Sequence, residues 1–228
     1  MGRDNQPKHR RARDLKRRRA QREPYARVLI VCEGKKTEPL YFGEIRRECR
    51  LATTNLQVLP SPLGTDPLQV VAYAEQLLRR GDENKGIDAG AFDRAFTVFD
   101  RDDHANYHPA LAQAAALNKK CKNAEGEPVP FAAIASVPCF EVWLLMHFED
   151  VLAPLHRDEV YRRLRGHLPA YSKGQGGHFD ATRHLLAAAT ARAEAASAKT
   201  TAHDGHEPYT GMHVLVTFLT RLKPPVAD

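Results

Sequence analysis

The sequence predicts an α/β fold: a mostly parallel four-stranded sheet flanked by helices, with a C-terminal helical subdomain. Two observations support this fold class. As far as about residue 150, short apolar runs alternate with longer amphipathic segments, and beyond that point the composition changes to helix formers. The chain has 228 residues, of which 43% are hydrophobic, and this is enough to fill the core of a domain of ordinary size.

The alternation begins with the apolar run at residues 28–32, which predicts the first strand. Asp66-Pro67 predicts the start of a helix, because aspartate is a good N-cap and proline fits the first turn. The remaining segments of this region are predicted from their apolar periodicity. They are a helix from 37 to about 51, strands at 55–59, 95–99 and 131–137, a loop at 81–90 and a helix at 110–120.

Helices are also predicted at 158–168, 180–199 and 210–222, with a polar, glycine-rich loop at 171–177 between the first two. We therefore divide the chain into four parts. These are a basic disordered arm (1–24), an α/β domain (25–150), a helical subdomain (151–222) and a tail (223–228).

The positive charge is concentrated at the N-terminus. Residues 1–27 contain eleven Lys/Arg and three Asp/Glu, a net charge of +8, whereas the remaining 201 residues contain 23 basic and 25 acidic residues. Such an arm is attracted to phosphates, so nucleic acid is the expected partner, with a solubilising tail as the alternative. The candidate phosphate-binding residues are Lys16, Arg17, Arg18 and Arg19 in the arm, together with Lys35 and Lys36.

Other function classes are disfavoured by what the sequence lacks. No apolar run approaches the roughly 20 residues that span a bilayer, and no N-terminal stretch resembles a signal peptide, so we expect a cytoplasmic protein without a membrane partner. The four cysteines form no C-x-x-C pair, which argues against a zinc site or a disulfide framework. Gly34-Lys35-Lys36-Thr37 lacks the earlier glycine of a P-loop, so ATP binding by that route is not expected.

Three carboxylates mark the candidate site. Glu33 follows the first strand directly, and Asp100 and Asp102 follow the third, spaced so that both point to one side. Functional residues of parallel sheets gather at the carboxyl ends of strands, so the three meet if these strands are neighbours. Crowded carboxylates repel one another unless a cation neutralises them, and Mg²⁺ or Mn²⁺ suits oxygen ligands. Taken singly, each motif also fits an exposed turn or a helix cap.

Four segments together resemble the RloB-like family, whose members are encoded beside restriction-modification loci and are related to abortive-infection proteins. The segments are VCEGKKTEPLYF, VFDRDDH, PCFEVWLLMHF and EPYTGMHVLVTFLTRL, and the similarity runs over about residues 25–222. The Glu-Gly and Asp-x-Asp motifs also resemble the Toprim domain of topoisomerases, primases and overcoming-lysogenization-defect nucleases. The resemblance implies a Toprim-type fold, a role in antiphage defence and, through the Toprim relatives, a metal-dependent nuclease activity.

The resemblance also assigns roles to residues. Glu33 matches the Toprim glutamate, which is expected either to act as general base or acid or to help hold metal, and Asp100 and Asp102 match the metal-binding pair. Glu38, Asp103 and Glu141 are further candidate metal ligands. Alternatively, Glu38 is an acid in the first turn of its helix, Asp103 is a solvated loop acid and Glu141 is an acid at the N-terminus of a helix. Lys173 is a candidate for stabilising transition-state charge, with a surface lysine as the alternative. His104 and His108 are expected to be structural, with His104 a candidate partner of the acids.

Several alternatives stay open at this point. The chain is either a nuclease acting on DNA or RNA, or a non-catalytic regulatory or nucleic-acid-binding subunit of a defence complex with an ATPase. An AAA- or ABC-type ATPase is an expected partner because RloB-like genes often lie beside an ATPase gene. A primase-like or phosphatase activity differs from a nuclease only in substrate, and a homo-oligomer is compatible with the sequence.

Overall fold

The protein is built around one five-stranded sheet in a computed structural model that describes residues 26–204 and 208–222. The strands are β1 (Val28–Cys32), β2 (Leu56–Pro60), β3 (Arg94–Asp100), β4 (Phe131–Val137) and β5 (Tyr209–Thr210). Their order is β2-β1-β3-β4-β5. The first four are parallel, and β5 pairs antiparallel to β4. This architecture confirms the predicted α/β class and is consistent with a Toprim-like fold.

Eight α-helices connect or follow the strands within the described residues. They are α1 (Thr37–Glu48), α2 (Pro67–Arg80), α3 (Tyr107–Leu117), α4 (Glu141–Leu145), α5 (Arg157–His167), α6 (His178–Thr182), α7 (Leu186–Ser197) and α8 (Met212–Arg221). Two single 3₁₀ turns lie at Glu83–Lys85 and Arg183–Leu185. The Asp66 carboxylate caps α2 by accepting from the Leu68 N–H at 2.9 Å, as the Asp-Pro pair predicts.

The sheet separates two hydrophobic layers, and the alternation of side chains along β1 shows why. All five residues of β1 are buried, with Val28, Ile30 and Cys32 on one face and Leu29 and Val31 on the other. The first face packs against α1 and the helices that follow β4, and the second packs against α2 and α3. A strand that is apolar on both faces is typical of a parallel sheet covered by helices.

The prediction of a four-stranded sheet is wrong, because the sheet has a fifth strand. Residues 209–210 form β5, whose Thr210 pairs with Ser136 of β4, and the two hydroxyls lie 3.1 Å apart. The last helix therefore begins at Met212 rather than at residue 210. A two-residue strand is too short to produce a periodic pattern, so only its pairing with β4 reveals it.

The predicted helix at 180–199 is also divided in the structure. It consists of α6, a 3₁₀ turn and α7. An alanine-rich segment has high helix propensity throughout, and such a sequence does not show where packing interrupts the helix. The arm at 1–24 and the tail at 223–228 lie outside the described residues. No helix in the part of the chain that the structure describes is long and apolar enough to cross a membrane.

Candidate metal centre

The ends of β1 and β3 bring the first two predicted carboxylates together. The strands are parallel neighbours, with Cys32 opposite Val98, so the chain leaves both at the same edge of the sheet. The Glu33 N–H donates to the Val98 carbonyl at 2.9 Å, and Glu33 Oε2 accepts from the Asp100 N–H at 3.0 Å. The Glu33 side chain is thus held across the two strand ends.

Glu33, Asp102 and His104 form a group that can hold a metal ion. One ligand atom from each lies within 4.8 Å of the others, and Glu33 Oε1 is 3.3 Å from His104 Nε2. Asp102 has a φ of 36°, in the left-handed region that aspartate tolerates better than most residues. Backbone conformations of this kind cluster at functional sites. The sequence favours a structural role for His104, with a partner of the acids as the alternative, and the geometry makes it a candidate ligand.

A second group of acids lies deeper. Glu38 comes from the first turn of α1, Asp100 from the last position of β3 and Glu141 from the first position of α4, and all three are buried. Glu141 Oε1 accepts from the Tyr171 hydroxyl at 2.5 Å. Glu141 Oε2 is buried and has no hydrogen-bond partner among the described residues. An unpartnered buried carboxylate oxygen is costly, and a bound cation would satisfy it.

The proximity of the acids changes their protonation. Burial raises the pKa of Asp100 well above its ordinary value, and the charges of Glu38, Glu141, Glu33 and Asp102 raise it further. Burial, together with Glu141 and Glu33, raises the pKa of Glu38 to about 7. Burial also raises the pKa of Glu33, although the Asp100 N–H and His104 oppose the shift. These carboxylates therefore destabilise one another in the absence of a cation, and a bound cation would neutralise their repulsion.

Gly34 provides the space that the Glu38 carboxylate occupies. A Cβ at position 34 would lie 2.0 Å from Glu38 Oε2 and 2.6 Å from its carboxyl carbon. Any larger residue at this position must displace a buried side chain of the acidic group. The preference for glycine after Glu33 is thus explained by the neighbouring acid, since the backbone of Gly34 is not in the left-handed region.

The acids open onto a cleft of about 350 Å³. Its walls come from the two strand ends, the start of α1 and the glycine-rich loop. The lining residues are Glu33, Gly34, Lys35, Lys36, Thr37, Glu38, Thr65, Asp100, Asp102, Lys173 and Gly174. Carboxylate oxygens with a single imidazole fit a hard divalent cation such as Mg²⁺ or Mn²⁺, and the imidazole suits Mn²⁺ better than Mg²⁺.

The helical region after β4 contacts the residues that line the cleft. Arg157 Nη1 lies 3.0 Å from Asp102 Oδ1, and Lys173 Nζ donates to the Tyr161 hydroxyl at 3.1 Å. Tyr161 and Tyr171 stack with their ring centroids 6.5 Å apart. Sequence reasoning missed Arg157, Tyr161 and Tyr171. They lie on or after an ordinary amphipathic helix, and no motif links them to the acids.

The glycine-rich loop is fixed to α1 by backbone hydrogen bonds. Thr37 Oγ1 accepts from the Gly174 N–H at 3.0 Å. The buried Glu44 carboxylate accepts from the N–H groups of Gly177 and Phe179 at the start of α6. Because α1 also carries Glu38, one helix positions both an acid of the centre and the loop that carries Lys173.

The other predicted residues divide between the cleft and its surroundings. Lys35 and Lys36 are exposed at the mouth of the cleft, whereas Asp103 is exposed and does not line it.

Trp143 is fully buried and donates from its indole nitrogen to the Tyr41 hydroxyl at 2.8 Å, so it belongs to the core. All four cysteines are free, and three are buried. The arm residues Lys16, Arg17, Arg18 and Arg19 lie outside the described residues.

Comparison with known proteins gives one match. Neither a curated protein nor a solved structure matches the chain. The family model described as RloB-like protein matches residues 28–219, which span all five strands and nearly all of α8. Because the match covers most of the chain and contains the entire acidic cleft, the protein belongs to the RloB-like family.

Proposed function

We propose that the protein is a metal-dependent nuclease that hydrolyses nucleic-acid phosphodiesters in prokaryotic antiphage defence. The observation that carries the proposal is the meeting of Glu33, Asp102 and His104 at the open edge of the sheet, backed by buried Glu38, Asp100 and Glu141. Five mutually repelling acids on four separate segments serve no purpose in a scaffold, since each raises the electrostatic cost of the others. They are useful where a cation must be held beside a substrate.

The chain's own residues supply the remaining requirements of hydrolysis. Mg²⁺ or Mn²⁺, when bound, would provide a water of lowered pKa and stabilise charge on the phosphate. Glu33 and Asp102 would hold the cation through oxygen atoms, with His104 as the third ligand. Lys173 also lines the cleft, and its ammonium group would offset negative charge that develops on the phosphate.

Nucleic acid is the proposed substrate class because cations lie at the mouth of the cleft. Lys35 and Lys36 are exposed there, next to the acids, and the N-terminal arm adds a dense run of basic residues. Contacts of this type attract the phosphate backbone without reading its sequence. They support an enzyme of low sequence preference and leave open whether the substrate is DNA or RNA.

Cleavage assays test the proposal directly. Labelled DNA and RNA, single- and double-stranded, are incubated with the full chain in Mg²⁺, Mn²⁺ or EDTA, and wild type is compared with Asp100→Asn/Asp102→Asn. Asp103→Asn is the matched control, because Asp103 is an exposed neighbour that does not line the cleft. We expect cutting that requires metal, is reduced at least about a hundredfold in the double variant and is unchanged in the control.

Wild-type protein that stays folded and does not cut any substrate, alone or with the product of a neighbouring ATPase gene, would contradict the nuclease proposal. That result would favour the regulatory-subunit alternative. Cutting that appears only when the ATPase is added would retain the proposed chemistry and make the ATPase an obligatory partner.

A further inference from the structure

Two cationic side chains lie beside the acidic cleft. Lys173 Nζ donates to the Tyr161 hydroxyl at 3.1 Å and lies 5.8 Å from the centre of its ring. Arg157 Nη1 lies 3.0 Å from Asp102 Oδ1. Tyr161 and Arg157 are one turn apart on α5, whereas Lys173 arrives from the glycine-rich loop.

Two positive charges therefore lie near one neutral phenol: Lys173 by its hydrogen bond, and Arg157 from one turn away on the same helix. Neighbouring like charges repel each other, and Glu141 and Asp100 offset part of the charge of Lys173. Asp102 neutralises Arg157 in part through its 3.0 Å ion pair. No comparable ion pair is found for Lys173 among the described residues; its hydrogen bond goes to Tyr161. An anion placed between the two cations would relieve the repulsion.

The chemistry of the two groups indicates which anion. A guanidinium presents a planar fork that matches two phosphate oxygens, and an ammonium adds a point charge for a third. The Tyr161 hydroxyl supplies a further donor. The group faces the cleft, since both Asp102 and Lys173 line it, so the anion would lie across from the carboxylates.

The Arg157–Asp102 pair also has a consequence for the acids. A cation held by Asp102 competes with Arg157 for the same carboxylate. Binding of the cation therefore weakens the ion pair and frees the guanidinium to contact a phosphate. The two halves of the cleft would be filled together, one by the cation and the other by the phosphate.

We propose that Arg157, Tyr161 and Lys173 form a phosphate-binding subsite that holds a nucleic-acid phosphate against the acidic centre. The inference deepens the proposed function and rests on it, because it identifies the side of the cleft on which the substrate backbone lies. Arg157 and Tyr161 would contact substrate directly, as would Lys173. The subsite belongs to the helical region, so this region would bind substrate as well as cover the sheet.

Binding without cleavage is the test. Fluorescence anisotropy measures the affinity of the full chain for labelled oligonucleotides in Ca²⁺, with and without a 5′-phosphate, over a range of salt concentrations. The variants are Arg157→Gln, Arg157→Lys and Lys173→Gln. Arg162→Gln is the control, because Arg162 lies on the same helix, is exposed and pairs only locally with Glu159. Thermal unfolding confirms that each variant is folded.

We expect Arg157→Gln and Lys173→Gln to weaken binding about tenfold and to reduce the slope of log Kd against log salt by about one unit. Arg157→Lys should recover part of the affinity, and Arg162→Gln should stay within about twofold of wild type. If the variants also lose affinity for oligonucleotides that lack a terminal phosphate, a backbone phosphodiester occupies the subsite. If they lose affinity only for 5′-phosphorylated oligonucleotides, a terminal phosphate occupies it instead.

Failure of the subsite can be distinguished from failure of the nuclease proposal. If wild type cleaves nucleic acid but Arg157→Gln and Lys173→Gln bind as the control does, the subsite is wrong and the nuclease stands. If wild type binds in an Arg157-dependent manner but does not cleave, the subsite stands and the nuclease does not. Wild-type protein that does not bind any of the oligonucleotides would overturn the subsite.

Discussion

Gly34 is a single residue on which the shape of the acidic centre depends. We predict that Gly34→Ala reduces nuclease activity and metal affinity about ten- to a hundredfold, because the new methyl group would occupy the position of the Glu38 carboxylate. Isothermal titration with Mn²⁺ measures the affinity, and cleavage of the preferred substrate measures the activity.

Gly43→Ala is the matched control for this change. Gly43 lies inside α1, and a Cβ there would meet no atom within 4 Å. It should leave metal affinity and activity unchanged and stabilise the fold by up to about 1 kcal/mol, because alanine is the better helix former. Equal metal affinity in Gly34→Ala and wild type would show that the Glu38 carboxylate is not part of the centre.

Asp100 illustrates the cost of keeping an acid in a buried group. We predict that Asp100→Asn increases the free energy of unfolding of the metal-free protein at pH 8, because the pKa of Asp100 is raised well above its ordinary value in the folded state. Asparagine has nearly the same shape but carries no charge, so it removes both the burial penalty and the repulsion from Glu38, Glu141 and Glu33. Urea unfolding in EDTA measures the difference.

The pH dependence of this difference has a definite sign. The pKa of Asp100 is raised in the folded protein, whereas the unfolded chain titrates near about 3.9. Below about pH 3.9 both states of wild type hold the proton, so the two proteins differ little. As the pH rises, the unfolded state releases its proton first, and wild type loses stability relative to the variant until the pH passes the folded pKa. A gap that is constant from pH 4 to 8 would contradict the prediction.

The residues that could be predicted from the sequence are those next to strand ends. Glu33, Asp100 and Asp102 follow apolar runs directly, so local patterning and the geometry of parallel sheets place them together. Arg157 and Tyr161 contact the cleft residues Asp102 and Lys173 through the packing of α5, and the Arg157–Asp102 pair joins segments more than fifty residues apart. No local pattern distinguishes them from surface residues of an amphipathic helix.

At the scale of elements, the hydrogen bonds between α1 and the glycine-rich loop hold the loop in position. We predict that Glu44→Ala destabilises the protein by about 2 to 3 kcal/mol, since it removes the acceptor for the Gly177 and Phe179 N–H groups. Activity should fall as well, because the loop that carries Lys173 loses its attachment. Thermal unfolding and cleavage assays measure the two effects.

Glu48→Ala provides the comparison on the same helix. Glu48 forms an exposed ion pair with Arg183, and such pairs contribute about 0 to 1 kcal/mol. If both variants lose the same small amount of stability, Glu44 does not anchor the loop. The sequence predicts a polar face on α1 and a glycine-rich loop. It does not show which acid of that face is buried, because this depends on the position of α6.

At the scale of the whole molecule, the sheet gives the protein two chemically different ends. Parallel strands place the acidic cleft at their carboxyl ends, while the described chain begins at the amino end of β1. Arg27 anchors that beginning through an ion pair with Asp93, the residue just before β3, at 2.9 Å. The N-terminal arm is therefore attached to the end of the sheet that lies away from the cleft.

If the proposed function holds, binding by the arm and chemistry in the cleft are separable. We predict that deletion of residues 2–24, which contain ten Lys/Arg and three Asp/Glu, weakens nucleic-acid binding and lowers its salt dependence by several units, because each phosphate contact contributes about 0.7 to 0.9 to the slope. The single-turnover cleavage rate at saturating substrate should stay within about threefold of wild type, since the residues of the cleft are retained. Anisotropy titrations and rapid-quench kinetics measure the two quantities.

If the truncated protein binds nucleic acid as wild type does, the arm has no role in binding. If it binds but no longer cleaves at saturating substrate, the arm takes part in the reaction itself.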